Sequence, residues 1–183
     1  MSRVRIVGGE WRRRFISFHD APGLRPTPDA VRETLFNWLG QDLTGLNCLD
    51  LFAGSGVLGF EAASRGAARS TLIERDQKVF AELAQNARTF GCDRLELVRG
   101  DALKFAASPG RQYDVVFLDP PYGRGLLEKV LPLLPGLLAP DAVIYAEAER
   151  DLGSDSAFAG YALLRQGRAG QVHYHLFESR HEQ

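Results

Sequence analysis

Alternating apolar and polar stretches divide the chain into segments of strand length and segments of helix length. Short apolar runs predict five buried strands, at 48–52, 70–73, 95–99, 115–118 and 142–146. Between them, apolar residues recur at helical spacing and predict helices at 57–65, 76–90 and 126–138, the last interrupted or ended near Pro132 and Pro135. This repeated order of strand and helix is typical of an α/β fold with a mostly parallel sheet.

Both ends of the chain predict antiparallel pairs. Segments 161–165 and 172–177, separated by residues 167–170, predict a closing hairpin at the C-terminus. Residues 1–14 alternate in the manner of a strand, a Gly8-Gly9 turn and a second strand. The sequence therefore predicts a seven-stranded, mostly parallel sheet with one antiparallel strand, flanked by helices and preceded by an N-terminal β-hairpin extension.

Length and composition predict one domain. The chain has 183 residues, of which 45% are apolar and 25% charged, and this suits a single well-packed core. We expect residues 1–24 to form the hairpin extension and residues 25–183 to form the catalytic α/β core, in a monomer. No apolar run approaches the ~20 residues of a membrane span, and the N-terminus has no hydrophobic signal segment, so we expect a cytoplasmic protein with no membrane partner.

Cysteines and histidines give no metal pattern. Cys48 lies within the first predicted strand and Cys92 near a helix end, and a buried apolar role is favoured for both over a disulfide or a metal site. His173 and His175 lie on one face of a predicted strand, but no third ligand accompanies them. We therefore expect a solvated strand face there and no metal.

A glycine-rich turn follows the first predicted strand. Residues 53–56 read Ala-Gly-Ser-Gly, and glycines there allow a ligand to approach the backbone closely. Residues 54–59 also fit the dinucleotide fingerprint G-x-G-x-x-G, with the acid Glu74 about 20 residues further on. Asp50 stands just before the glycines and argues against a pyrophosphate, because a carboxylate favours a cationic ligand. An NAD-dependent enzyme is the alternative that this turn leaves open.

Asp119, Pro120, Pro121 and Tyr122 follow the strand 115–118 and present a carboxylate, a rigid carbonyl and an aromatic ring together. The exocyclic amine of a nucleobase is a poor nucleophile because its lone pair is delocalised into the ring. Asp119 and the Pro120 carbonyl are placed to accept its two N–H groups and turn the lone pair outward, while Tyr122 stacks on the base. The prolines stiffen this loop. A purely structural strand-end turn is the alternative.

These motifs, in this order, resemble the Rossmann-like class I S-adenosylmethionine-dependent methyltransferases. In that family the glycine turn wraps the methionine part of the cofactor, the acid after the second strand holds the ribose hydroxyls, and an Asp after the third strand meets the adenine amine. The cofactor-binding residues that the resemblance implies are Asp50, Phe52, Ala53, Gly54, Ser55, Gly56, Glu74, Arg75, Asp101 and Ala102. We expect the acids among them to meet Asp119 at the carboxyl ends of the strands.

Positive charge is concentrated near the N-terminus, although the net charge of the chain is −1. The first fourteen residues carry five arginines against Glu10, and an arginine-rich hairpin favours RNA contact over a merely solubilising role. Thr27 or Asp29 is a candidate cap of the helix that follows, yet the Arg25-Pro26-Thr27 loop is also placed to cover the active site. The predicted RNA-binding residues are Arg3, Arg5, Arg12, Arg13, Arg14, Arg25 and Thr27.

The N-terminal pattern narrows the resemblance to the bacterial methyltransferases that modify guanine N2 in 16S ribosomal RNA of the small subunit, at guanine 966. The matching segments are Arg5–Gly9, Arg12–Arg14, Arg25–Thr27, Val31–Asn37, Asp50–Gly56 and Asp119–Tyr122. The resemblance implies direct methyl transfer to ribosomal RNA in an assembled or assembling subunit. Two alternatives remain: a DNA or other RNA amine methyltransferase acting on adenine N6 or cytosine N4, and a non-catalytic RNA-binding assembly factor.

Overall fold

The computed structural model describes residues 1–180. Within these described residues there are nine strands: β1 (Ser2–Arg5), β2 (Phe15–Phe18), β3 (Asn47–Asp50), β4 (Arg69–Glu74), β5 (Leu95–Arg99), β6 (Tyr113–Leu118), β7 (Leu138–Ala148), β8 (Tyr161–Ala169) and β9 (Val172–Ser179). Five α-helices accompany them: α1 (Asp29–Leu39), α2 (Val57–Ser64), α3 (Gln77–Phe90), α4 (Ala102–Ala107) and α5 (Leu126–Val130). Short 3₁₀ segments occupy Leu131–Leu137 and Ser156–Phe158.

Seven of these strands form one sheet in the order β5-β4-β3-β6-β7-β9-β8. All neighbours from β5 to β7 are parallel, and β9 runs antiparallel to both β7 and β8. The predicted seven-stranded sheet with one reversed strand is therefore confirmed. The direction of strand progression changes between β3 and β6, and open α/β sheets bind ligands outside the carboxyl ends of the strands at such a switch point.

Two apolar layers cover the two faces of the sheet. One contains α1, α2 and α3, and the Phe36 ring of α1 packs on Phe117 of β6, with centroids 6.0 Å apart. The other contains α4, α5 and the first 3₁₀ segment, with Leu134 packed near Val116 of β6. Neighbouring residues of one strand thus enter opposite layers, as the pleat of a strand requires. Because both faces are covered, the strands read as continuous apolar runs.

The N-terminal hairpin differs from its prediction. β1 pairs antiparallel with β2, but β2 begins only at Phe15, so Arg12–Arg14 lie in the connecting turn and not on a strand. Trp11 is the physical reason, because its buried ring packs on Phe60 and Phe90, with centroids 6.1 and 4.7 Å apart. The predicted Gly8-Gly9 turn with a second strand directly after it is wrong.

Two C-terminal predictions also change. The helix predicted at 126–138 ends at Val130 and continues as a 3₁₀ segment containing Pro132 and Pro135. β8 extends through Ala169, so residues 167–169 belong to the strand rather than to the turn. At Gly167 a Cβ atom would stand 2.4 Å from the Tyr174 ring, which explains a glycine inside this strand.

His175 contradicts the predicted solvated face. Its side chain is buried, its Nε2 accepts a hydrogen bond from the Leu152 N–H at 3.1 Å, and its Nδ1 lies 3.1 Å from the Ala146 carbonyl oxygen. Burial lowers the pKa of this imidazole. The cause is topological, since β9 lies between β7 and β8 and both faces of its middle part, residues 174–177, are covered.

Cys48 is buried, as expected, and Cys92 is half-buried; both are free thiols. Burial raises the pKa of the Cys48 thiol to about 12, which makes it unreactive. Among residues 1–180 no group of three or more acidic, histidine or cysteine side chains could hold a metal ion. Within the same range, no helix is both long and apolar enough to cross a membrane.

Candidate active site

The acids predicted from the sequence stand at one edge of the sheet. Asp50 ends β3, Glu74 ends β4, Asp119 follows β6 and Asp101 follows β5 at the start of α4. These strands are parallel, so their carboxyl ends share that edge. Burial raises the pKa values of Asp50 and Asp119, and the charge of Glu74 adds to the shift of Asp50 as the charge of Asp50 adds to that of Asp119. Asp101 caps α4, and its Oδ1 accepts a hydrogen bond from the Lys104 N–H at 3.0 Å.

The turn between β3 and α2 is shaped by two left-handed glycines. Gly54 has φ 55° and Gly56 has φ 84°, a region that side chains rarely adopt. A Cβ atom on Gly56 would also stand 2.3 Å from Leu83 Cδ2. The Gly54 N–H donates to Glu74 Oε2 at 3.2 Å, so the acid at the end of β4 is bonded directly to the turn. The turn is thereby fixed, and Leu83 fills the space that a side chain at position 56 would need.

Glu74 and Asp50 differ in exposure. Glu74 is half-buried, and its Oε1 accepts hydrogen bonds from the backbone of Arg75 and Asp76. Asp50 is only 2% exposed, and its Oδ2 accepts a hydrogen bond from the Gly59 N–H at 3.1 Å. Burial raises the pKa of Asp50 to about 7, and the charges of Glu74 and Glu147 act in the same direction. Among the other turn residues, Ala53 and Ser55 are buried and Phe52 is half-buried; Ala102 is buried and Arg75 exposed.

A further acid, Glu147, joins Asp119. It follows the apolar part of β7. Leu118 of β6 lies opposite Ala146 of β7, so the residues that come next, Asp119 and Glu147, are neighbours. The two carboxyls lie within hydrogen-bonding reach, and burial together with the Glu147 charge raises the pKa of Asp119 well above its usual range. Sequence analysis missed Glu147, although it obeys the rule that identified the other acids: it follows an apolar strand at the carboxyl edge.

Thr27 contacts the same acids. It is buried, and its Oγ1 donates a hydrogen bond to Glu147 Oε1 at 2.9 Å and lies 3.5 Å from Asp119 Oδ2. Pro28 occupies the cap position of α1, where no side chain caps the helix, so the capping role of Thr27 or Asp29 is wrong. The loop before α1 therefore lies over Asp119, with the exposed Arg25 on its outer side.

The residues after Asp119 divide between the interior and the surface. Pro120 is buried, whereas Pro121 is exposed and the side chain of Tyr122 is 41% exposed. Partial burial and the charges of Asp119, Glu147 and Glu149 raise the pKa of the Tyr122 hydroxyl, which keeps it neutral. A large aromatic surface thus stands open beside the half-buried Asp119 carboxylate, an arrangement that can take a planar ligand carrying an amine.

The acid cluster formed by Asp50, Asp119 and Glu147 has no basic partner. Within residues 1–180, none of the three carboxylates forms an ion pair with Arg, Lys or His. Buried acids without a counter-ion are costly, and a cationic ligand at this edge would reduce that cost. The sulfonium group of S-adenosylmethionine is such a cation, so the chemistry of the donor set fits this cofactor.

The N-terminal arginines do not share one environment. Arg3 lies over the Phe15 ring at 4.3 Å from its centroid, on the outward face of the hairpin, where Phe15 is 46% exposed. Arg5 forms an ion pair with Asp29 at 2.8 Å. Arg14 lies over the ring of Phe90 at 3.9 Å and is thereby drawn toward α3.

Arg12, Arg13 and Arg14 are all exposed in the turn, but Arg14 is held over the Phe90 ring, which leaves Arg12 and Arg13 without a ring contact of this kind among the described residues. They line a cavity of about 200 Å³, together with Arg5, Ile6, Val7 and Glu33. Of the arginines predicted to contact RNA, these two and Arg25 are therefore the most open to a phosphate, whereas Arg14 is engaged elsewhere.

Comparison with known proteins gives consistent matches over nearly the whole chain. The profile of the family described as conserved hypothetical protein 95 matches residues 4–178. Ribosomal RNA small subunit methyltransferase D of Escherichia coli is 47% identical over 178 residues, covering 96% of this chain and 90% of that protein. The protein of the same name from Haemophilus influenzae is 42% identical over 182 residues, with 96% and 94% covered.

A solved structure agrees with these sequence matches. It is that of the Escherichia coli protein yhhF, which bears the name of a methyltransferase. It superposes with a TM-score of 0.88 at 43% identity and covers 97% of this chain and 98% of its own.

Proposed function

Because the chain belongs to the family of ribosomal RNA small subunit methyltransferase D, we propose that it transfers a methyl group from S-adenosylmethionine to small-subunit ribosomal RNA. The target we propose is the exocyclic N2 of a guanine, guanine 966, in an assembled or assembling subunit. The observation that carries this proposal is the acid cluster, with Asp50 and Glu147 buried and Asp119 half-buried, beside Pro120 and the exposed Tyr122 ring. A cationic methyl donor and a planar base with an amine are the two ligands that such a cluster suits.

The cofactor is assigned to the turn between β3 and α2. S-adenosylmethionine supplies an electrophilic methyl group on a positively charged sulfur. The left-handed conformations of Gly54 and Gly56 shape the turn that would hold the methionine part, and Glu74 is held at the end of β4, where it would accept hydrogen bonds from the ribose hydroxyls. Arg75 follows Glu74 at the end of β4, and Asp101 and Ala102 follow β5; these three residues would border the adenine.

Asp119 and Pro120 are assigned to the target amine. The Asp119 carboxyl and the Pro120 carbonyl would each accept one N–H, which directs the nitrogen lone pair toward the methyl carbon. Tyr122 would stack on the base after it has left its helix or loop. Transfer then needs no covalent enzyme intermediate, because the lone pair of the amine forms the new bond as the carbon–sulfur bond breaks. Most of the rate enhancement would come from this positioning.

The basic turn of the hairpin is assigned to the RNA backbone. Arg12 and Arg13 line an open cavity, and guanidinium groups bind phosphate oxygens bidentately. Arg3 and the exposed Phe15 ring extend the same surface along the outward face of the hairpin. The loop carrying Arg25 joins this surface to Thr27 and hence to the acid cluster.

The test is the identity of the methylated nucleoside. The protein is incubated with radiolabelled S-adenosylmethionine and, in parallel, with unmethylated small subunits, free 16S ribosomal RNA and duplex DNA. We expect N2-methylguanosine from the ribosomal samples, mapped to guanine 966, with more label in subunits than in free RNA. Label confined to DNA would show that the target is an amine of a DNA base and not of RNA. Tight cofactor binding without label in any sample would favour a non-catalytic binding role.

A further inference from the structure

Glu147 is a buried carboxylic acid that has no role in the methyl transfer proposed above. Its side chain is 4% exposed, and its carboxyl lies within hydrogen-bonding reach of Asp119 across the edge of the sheet. Burial and the neighbouring charge of Glu147 disfavour ionisation of Asp119. The pair therefore provides a place for one proton next to the proposed position of the target amine.

Two hydroxyl groups hold Glu147 in this position. Thr27 and Tyr145 donate hydrogen bonds to the same oxygen, Oε1, at 2.9 and 2.5 Å. Tyr145 is fully buried, and Thr27 belongs to the loop that lies over the site. Both rotation of the carboxyl and its escape toward solvent are thereby restricted. Two hydrogen bonds to one oxygen hold the Glu147 carboxyl more firmly than a helix cap or a surface acid requires, and they hold it next to Asp119.

We propose that Glu147 takes up, through Asp119, the proton that the target amine loses on methylation, an inference that rests on the proposed function. The amine lone pair forms the bond to the methyl carbon, and the electrons of the carbon–sulfur bond remain on sulfur, which becomes a neutral thioether. The N–H bonding pair then returns to nitrogen. The released proton goes to the Asp119 carboxylate and is shared with Glu147, so Glu147 acts as a positioning residue for proton transfer.

The surroundings of the pair favour proton uptake. The titratable groups that interact with the pair are Asp50 from β3, Tyr122 beyond the end of β6 and Tyr145 from β7. All of these groups are acids or phenols. Burial, first, and the neighbouring carboxylates, second, raise the pKa of Asp119, which makes its carboxylate a better proton acceptor than an exposed Asp.

The experiment is a pH profile of single-turnover methyl transfer to the ribosomal substrate, from about pH 5 to about pH 9. In the wild-type protein we expect the rate to rise as the pair loses its shared proton and then to level off. Glu147→Gln removes the charge that raises the Asp119 pKa, so the rising limb should move to lower pH by roughly one unit or more. The plateau rate should fall by roughly tenfold to a hundredfold, because half of the proton-accepting pair is lost.

Glu149→Gln is the matched control. It removes the same charge two residues along the chain, from an exposed position that does not contact Asp119, and it should leave the rising limb in place. Glu147→Asp keeps an acid at the site and should keep the limb near its wild-type position, with a lower plateau. Thermal unfolding and cofactor titration establish that each variant is folded.

A fall of the plateau in Glu147→Gln without a shift of the limb would overturn the inference, because a merely structural role lowers the rate at every pH alike. If Glu147→Gln does not fold, Glu147→Asp takes its place. A rising limb of the Glu147→Asp profile at lower pH than in wild type would then overturn the inference, because an acid at this position is expected to keep the limb in place. Absence of transfer by the wild-type protein would instead remove the proposed function, and this inference with it.

Discussion

Arg32 of α1 and Glu61 of α2 form an ion pair in which both side chains are fully buried, with Nη1 2.9 Å from Oε1. The same guanidinium donates hydrogen bonds to the carbonyl oxygens of Arg5 and Thr27, at 2.5 and 2.9 Å. Glu61 in turn accepts the Val7 N–H at 2.6 Å. The basic hairpin, the loop over the acid cluster and the α/β core are thus joined at one buried pair.

Glu61→Gln should destabilise the protein by about 3 to 5 kcal/mol, because it leaves the buried guanidinium groups of Arg32 and Arg65 without their common partner. Urea unfolding at neutral pH measures the change. The matched control is Glu96→Gln, which breaks an exposed ion pair with Arg69 and should cost less than about 1 kcal/mol. Equal effects of the two substitutions would contradict a joining role for the buried pair.

Asp50→Asn should stabilise the protein at alkaline pH. Burial raises the pKa of Asp50 to about 7 in the folded state, above its unfolded value, so the folded protein binds this proton more tightly. Stability therefore falls as pH rises from about 4 to about 7, by about 4 kcal/mol at most. Asn retains an acceptor for the Gly59 N–H and carries no charge.

Urea unfolding at about pH 4.5 and about pH 8 tests this prediction, because the gain of Asp50→Asn over wild type should appear only at the higher pH. Cofactor affinity should fall in the same variant, since a charge facing the sulfonium is lost. An equal gain in the free energy of unfolding at both pH values would show that ionisation of Asp50 does not destabilise the folded protein.

Arg12→Ala combined with Arg13→Ala should weaken RNA binding and reduce the slope of its salt dependence by about two, since each lost phosphate contact reduces the slope by about one. Arg14→Ala is the control, because its guanidinium lies over Phe90. It should leave the slope unchanged and cost about 0.5 to 1 kcal/mol in stability. Filter binding across a salt series measures the slopes. An equal decrease of the slope in the double variant and in Arg14→Ala would contradict the assignment of phosphate contacts to Arg12 and Arg13 rather than to Arg14.

Local sequence pattern was sufficient to predict the acids at the strand ends. Asp50, Glu74 and Asp119 each follow an apolar run, and parallel strands bring their carboxyl ends to one edge regardless of the details of packing. Glu147 follows the same rule, but its importance depends on pairing with Asp119 and on Thr27, 120 residues away along the chain. Such contacts between distant segments do not appear in any local pattern.

Burial of single residues explains the predictions that were wrong. The alternation of residues 1–14 indicated a short hairpin. Trp11 packs against α2 and α3 instead of extending a strand, so the second strand begins only at Phe15. His175 read as solvated because β9 was expected to have an open face, whereas its place between β7 and β8 covers it. In both cases tertiary packing decided between conformations that the local sequence permits.

The central claim is that Asp119 holds the target amine while the cofactor occupies the turn between β3 and α2. It is tested most directly by comparing wild type with Asp119→Ala in two measurements: calorimetric titration with S-adenosylmethionine and single-turnover transfer to small subunits. We expect Asp119→Ala to bind the cofactor with near wild-type affinity and to lose roughly 100-fold or more in transfer rate. Transfer at the wild-type rate by Asp119→Ala would contradict the account.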